Sequence, residues 1–429
     1  MRLELGTFPV KDVVLGPTTN WKNEILQINK DEILSAVLDD LRIAEADLEI
    51  AKPGESVRIW PVRDMIDPRI KIDNPSVTYP GICGREIHTV GQGRTHRLSG
   101  VSILEVSNVN WHSAGGDYVD VFVDMTGPWA QALPHMSSLI NICLLVEPDP
   151  KLEIESQNNA VHKATLKVSD MLAAAPDQDP PEMEVFELTE VDPTLPKVVY
   201  VMCNHSSQHK SGSLNSFCVS TYGLTQLQPP VLLHPNEIID GAVSGPYRTA
   251  FATSWAIVNN PILLELYRRH GIDFNLRGVI AFKTEWTTQD EKQLMANQCA
   301  KLAKMVGAEG AIFTWDAGGN EFVEVIRGVQ ACENEGIKTV FVTSEDNPDG
   351  GAATVLEPLP EANAVVSTGF FVASQLDLSP LPDMERIIGN PEKVIGPLRN
   401  QMVSTATLKE CPWRHDDHYG FTRMSCEAY

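Results

Sequence analysis

The stretch "CNHSSQH" sets one sulfur and two imidazoles, Cys203, His205 and His209, directly after a strand-like run. A thiolate with neutral imidazoles is a donor set for zinc and other transition metals, and the same groups could serve as nucleophile and base. Cys218 and His234 follow farther along. The spacing matches no specific metal motif, so ordinary loop histidines are the alternative. Near the C-terminus, "WRHDDHYG" groups His415 and His418 with Asp416 and Asp417, and this reads first as a polar surface tail.

Two glycine-bearing loops could hold charged groups. "TWDAGGNEF" puts Gly318 and Gly319 between a strand and a helix, where free backbone N–H groups and the helix dipole favour a carboxylate or phosphate. A tight turn alone would use the same glycines. In "SEDNPDGGAATVL", Glu345 and Asp349 precede Gly350 and Gly351, and carboxylates there either hold a substrate ammonium or are simply solvated. In "GQGRTHRLSG", Arg94, His96 and Arg97 form either a hairpin with exposed cations or a basic patch facing an acidic partner or domain.

The elements that must position these groups divide the chain in two. Its 429 residues exceed one ordinary core. Up to about Lys197, short alternating runs such as "RLELGTF", "SVRIWPV", "HRLSGVSILEV" and "YVDVFVDM" are separated by Gly- and Pro-bearing turns, which predicts a mainly antiparallel β domain over 1–195. Helical spacing appears in "NKDEILSAVLDDLRIAEADLEI", which reads as a helix running into a strand, and in "QNNAVHKATLKVSDMLAAA". The acidic, proline-bearing "PDQDPPEMEVFELTEVDPTLP" reads as a linker. Over 196–429, buried runs "KVVYVMC", "LRGVIAFK", "EGAIFTWD" and "KTVFVTSE" alternate with amphipathic helices. That rhythm predicts an open, Rossmann-like parallel sheet, and an α/β (α+β overall) chain. Ligands in such sheets gather beyond the carboxyl ends of the strands.

Charge and cysteine usage narrow the function classes. With 34 Lys+Arg against 57 Asp+Glu, the net charge of -23 opposes extended phosphate contacts, so nucleic acid is not an expected partner. The opening "MRLELGTFPVKDVVLG" lacks the apolar core of a signal peptide, and no uninterrupted apolar run is long enough to span a bilayer. The expectation is a cytoplasmic protein without membrane association. Its eight cysteines are scattered without CxxC spacing, which predicts reduced thiols.

Taken in order, "MRLELG", "KPGESVRIWPVRDMIDPRIKI", "VGQGRTHRLSG", "VDMTGP", "LPKVVYV", "IIDGAVSG", "NNPILLELYRRHGIDFNLRGVI", "VTSEDNPDGGA" and "STGF" resemble the pyruvoyl-bearing proprotein of component B of the glycine, sarcosine and betaine reductases, and more distantly that of D-proline reductase. The resemblance implies a subunit that binds a small amino-acid- or amine-derived substrate and works in a hetero-oligomer with a thiol- or selenol-bearing partner subunit. In that family the precursor cuts itself before a cysteine, which becomes a pyruvoyl group; its keto carbon activates the substrate amine, and the partner's nucleophile breaks the C–N bond.

This chain departs from the family where that electrophile is made. Pro246 and Tyr247 follow "DGAVSG", and no cysteine lies between Cys218 and Cys299. The expectation is therefore an uncut chain without a pyruvoyl; Thr253-Ser254 is the conceivable substitute cleavage site. Ser244, Gly245, Tyr247 and Arg248 occupy the counterpart of the pyruvoyl loop, where Arg248 could hold a substrate carboxylate. Asn259, Asn260 and Pro261 match only part of the family's "NHP"-like stretch. Together with Gly318, Gly319, Glu345 and Gly350 these are the candidate substrate contacts. Two other readings stand beside the reductase subunit: a metal-dependent enzyme using Cys203, His205 and His209, and a non-catalytic small-molecule-binding subunit.

Overall fold

In "RLELGTFP" at the N-terminus, Leu3, Leu5 and Phe8 are buried where this strand anchors the first sheet. The structure is a computed structural model that describes residues 1–73, 88–109, 121–132, 134–205, 220–221, 225–226, 229–245, 252–284, 288–316, 322–345, 359–370, 383–389, 417–421 and 424. Its first half contains β1 (Arg2–Pro9), α1 (Lys30–Leu38), β2 (Ile43–Ala51), β3 (Val57–Ile66), β4 (Arg69–Lys71), β5 (Gly93–Ser99), β6 (Val101–Val106), β7 (Val121–Asp124), β8 (Ile140–Pro148), α2 (Ile154–Ala173) and β9 (Glu182–Glu187). One sheet runs β9-β1-β5-β4 and another β7-β3-β6-β8-β2. Antiparallel pairs predominate, but β1 lies parallel to β5 and β6 parallel to β8. Helix α2 covers the second sheet, packing Val161, Val168 and Leu172 into one core with Ile103, Ile142 and Leu144.

The expected linker contains a strand. Within it β9 pairs antiparallel with β1, from Arg2 opposite Glu187 to Thr7 opposite Glu182. The alternation of "EMEVFE" suffices for an edge strand, although only Phe186 is buried.

The second half contains β10 (Lys197–His205), β11 (Val231–Leu233), α3 (Pro235–Ile239), α4 (Ser254–Val258), α5 (Pro261–Arg269), β12 (Asn275–Thr284), α6 (Gln289–Met305), β13 (Gly310–Trp315), α7 (Phe322–Asn334), β14 (Lys338–Glu345) and β15 (Val365–Phe370). Its sheet runs β11-β12-β10-β13-β14-β15, parallel except for β11 at one edge. Helices α3 to α5 pack on one face and α6 and α7 on the other. Counted among themselves, the parallel strands follow the order 2-1-3-4-5, the second common doubly wound arrangement and not the Rossmann order. The last strand, β16 (Arg386–Gly389), returns to the first half and pairs parallel with β3. Among the described residues, no helix is long and apolar enough to cross a membrane.

A buried polar seam joins the halves. Asp240, at the end of α3, accepts Lys71 Nζ at 2.6 Å, the Gly91 N–H at 2.7 Å and the Thr95 hydroxyl at 2.5 Å. Arg69 binds Asp67 and also donates to the Ile239 carbonyl. Gly91 has φ of 96°, and a Cβ there would stand 2.9 Å from the Glu237 nitrogen, so this glycine lets "GQG" approach α3. Replacing Lys71 by Met leaves Asp240 buried without its cation. We expect Lys71→Met to cost about 3–5 kcal/mol in urea unfolding, against under about 1 kcal/mol for Lys11→Met, whose ion pair with Glu24 is exposed.

Candidate functional site

The winding of the parallel sheet reverses between β10 and β13, and ligand crevices open beyond the carboxyl ends of such a strand pair. Those ends carry Asn204 and Asp316, both buried, with Asn204 Nδ2 donating to Asp316 Oδ2 at 3.1 Å. Below them the Tyr200 hydroxyl shares a 2.7 Å hydrogen bond with Thr314 and accepts Asn260 Nδ2 at 2.8 Å. Tyr419 is buried in the same region; burial, then the neighbouring Asp316 and Tyr200, push its hydroxyl well above the usual phenol range.

Several sequence-derived candidates, His209, Tyr247, Arg248, Gly318, Gly319 and Gly350, lie outside the described residues. His205 and Glu345 end β10 and β14, and only their backbones are described. Cys203 packs on the α6–α7 face of the sheet, in one core with Phe282, Cys299 and Cys332. Burial, with Asp316 adding to it, pushes its thiol well up, the reverse of what a nucleophile requires. Among the described residues, no three of His, Cys, Asp and Glu converge as metal ligands.

Ser244 and Gly245 lead into residues 246–251, and the described residues on either side of that loop meet at its neck. The Gly245 N–H donates to Ser254 Oγ at 2.9 Å, while Ser254 gives its own N–H to Asp64 Oδ1 at 2.9 Å and its hydroxyl to Asp64 Oδ2 at 2.6 Å. A Cβ at Gly245 would stand 2.7 Å from the Ala252 oxygen and 2.8 Å from the Ser254 nitrogen, so the closure demands glycine. Helix α4 starts here, with Thr253 as its N-cap accepting the Ala256 N–H. At its far end Asn259 Oδ1 accepts Arg97 Nη1 at 3.1 Å. Asn260 caps α5 by accepting the Leu263 N–H, and Pro261 sits at the first helical position, where its missing N–H costs nothing. With its Nδ2 on Tyr200 and no exposed surface, Asn260 is engaged inside the fold, whereas Asn259 borders an open cleft.

Asp64 belongs to a buried charge cluster. Arg63 lies 3.3 Å from Glu105, His162 Nδ1 lies 3.1 Å from the same carboxylate, and Arg63 Nη2 donates to Asn158 at 2.7 Å. Burial raises the Asp64 carboxyl to about 6, with His162 opposing and Glu105 reinforcing the shift. Burial also works to raise Glu105, but Arg63 and His162 outweigh it and hold that carboxyl below its usual range. Sequence reasoning passed over Asp64, although charges embedded in the apolar run "SVRIWPVRDMI" were its signal.

Two expectations follow. Cys143, Cys203, Cys299 and Cys332 are buried and should resist alkylation by iodoacetamide in the native protein, becoming labelled only in denaturant, as read by peptide mass spectrometry. The folded state holds the Asp64 proton more tightly than an unfolded chain, whose Asp titrates near 4, so this group favours folding less as pH rises from about 4 to about 6. Relative to Asp64→Asn, wild-type unfolding free energy should therefore fall by a few kcal/mol across that window. A difference independent of pH would contradict the assignment.

Residues 1–403 match the family described as glycine/sarcosine/betaine reductase component B subunits. The chain is 36% identical over 397 residues to the betaine reductase complex component B subunit alpha of Peptoclostridium acidaminophilum, covering 89% of this chain and 87% of that one. It is 34% identical to the sarcosine reductase complex component B subunit alpha of the same organism, over 91% of this chain and 89% of the relative. The glycine reductase complex component B subunits alpha and beta, also from that organism, are 33% identical over 91% and 90% of the two chains. No solved structure matches. With the match running through both halves and the seam that joins them, the chain belongs to the glycine/sarcosine/betaine reductase component B subunits.

Proposed function

We propose that this protein is the substrate-binding subunit of a reductase complex and works uncut, without a pyruvoyl group. It holds a small amino-acid- or amine-derived molecule for a partner subunit that supplies a thiolate or selenolate. The compounds in the relatives' names, glycine, sarcosine and betaine, share a carboxylate beside a carbon that bears nitrogen. On this reading the partner's nucleophile attacks that carbon; a C–S or C–Se bond forms as the C–N bond breaks, and the nitrogen departs with the bonding pair and takes up a proton. On this reading the nucleophile comes from a second chain, and burial of the four described thiols, Cys143, Cys203, Cys299 and Cys332, supports it.

The observation that carries the uncut reading is the absence of cysteine between Cys218 and Cys299, across the whole counterpart of the cleavage loop. The setting of Thr253-Ser254 supports it. The Thr253 carbonyl accepts the Ile257 N–H at 3.0 Å, an ordinary first helical bond, and the Ser254 hydroxyl is committed to Asp64. Neither feature strains or exposes that peptide bond.

Intact-mass measurement of the purified protein should give one species near 47.3 kDa that does not react with phenylhydrazine. Two fragments, one with a carbonyl-reactive terminus, would refute the uncut reading. Turnover should appear only when a thiol- or selenol-bearing subunit is added, and turnover by this chain alone would refute the partnership.

A further inference from the structure

At the edge of the seam a cleft of about 430 Å³ opens between the β9-β1-β5 face and helix α5, lined by Glu184, Phe186, Asn259, Leu264, Arg268 and, in its wall, Arg97. Arg97 is held in place by neutral oxygens: Nε donates to Thr7 Oγ1 at 2.9 Å and Nη1 to Asn259 Oδ1 at 3.1 Å. Among the described residues its carboxylate neighbour is Glu184, whose oxygen is 3.4 Å from Nη2 and whose side chain is 56% exposed. Charge-assisted pairs close to about 2.7–2.9 Å, so this contact is long and its partner is free to swing into solvent. Arg58 shows the contrast: Asp124 takes its Nε and Nη2 at 2.7 and 2.8 Å, both residues being buried.

We propose that the Arg97 cleft is a carboxylate-binding site for a small ligand, with Arg97 as the anchoring cation and Asn259 and Thr7 as the residues that orient it. Phe186 and Leu264 close the apolar side and limit the ligand to a small body. The choice of ligand rests on the substrate-binding reading above. The site lies one short helix from the loop neck: α4 has five residues, about 7.5 Å of rise, with Ser254 at one end and Asn259 just beyond the other. An anion seated on Arg97 competes with Glu184 and pulls on the Asn259 contact, so occupancy bears on the end of the helix whose start closes the loop.

Calorimetric titration of the full chain with glycine, trimethylglycine and glycinamide tests this. The two carboxylates should bind and compete with each other, and glycinamide, which lacks the carboxylate, should not bind. Arg97→Gln should weaken carboxylate binding roughly tenfold or more, with Arg97→Lys between the two. Where Arg97→Gln does not fold, Glu184→Gln, on an exposed side chain, should tighten binding by a factor of about two to five by removing the competitor. Unchanged affinity in a folded Arg97→Gln protein, glycinamide binding equal to glycine, or no tightening in Glu184→Gln overturns the assignment. Carboxylate binding that survives Arg97→Gln but is lost in Arg248→Gln overturns this site alone and leaves the substrate-binding reading standing. Failure of the wild-type chain to bind any carboxylate removes both.

Discussion

A carboxylate taken out of water persists as an anion only where donors converge on it, and Asp240 imposes that condition on the whole molecule. Its donors, Lys71, the Gly91 N–H and Thr95, all belong to the first half, while Asp240 itself ends α3 in the second. The two halves can therefore meet in few ways without stranding a charge. Asn236 reinforces the same register, its Nδ2 donating to the Gly91 and Phe186 carbonyls at 2.9 and 3.1 Å. Apolar packing behind the seam, with Leu3 and Leu5 beside Ile238 and Leu263, supplies bulk stabilisation but little orientation.

Once the seam is fixed, α4 becomes the element on which the candidate sites depend. Its first residue, Ser254, is clasped by Asp64 from β3; beyond its last, Asn259 reaches Arg97 on β5, and Asn260 reaches Tyr200 on β10. Loop neck, cleft and sheet crevice are thus spaced by one rigid turn of helix. The loop neck and the cleft are each complete only when the halves meet, because each is built from residues of both, whereas the crevice residues Tyr200, Asn204, Thr314 and Asp316 all belong to the second half.

Much of this was legible in the sequence, and the failures have physical causes. Period-two runs and helical spacing located α1, α2, α6 and α7 and the buried strands of the parallel sheet. Pairing direction was not legible, since side-chain alternation is the same in parallel and antiparallel ladders, and β1 with β5 is parallel. The four residues "RIIG" are too few to show that β16 crosses back to β3. In "KVVYVMC" the alternation did hold a usable signal: Val199, Val201 and Cys203 share one face and Tyr200 and Met202 the other, so the cysteine was already marked as a core residue. Arg97 carried no such mark, because its neighbours Asn259 and Glu184 are distant in sequence and meet only in the fold.

The clasp at the loop neck uses the Gly245 N–H, the backbone and hydroxyl of Ser254, and Asp64; none of these atoms belongs to residues 246–251. Asp64 comes from β3, so this clasp, like the contacts of Asp240, ties the second half back onto the first. The clasp demands glycine at 245, where a Cβ would meet the Ala252 carbonyl oxygen at 2.7 Å. Both sides of the clasp, and the seam behind it, fall within the 1–403 match to the family, so the contacts that set the register of the halves lie in the part of the chain that the family model covers.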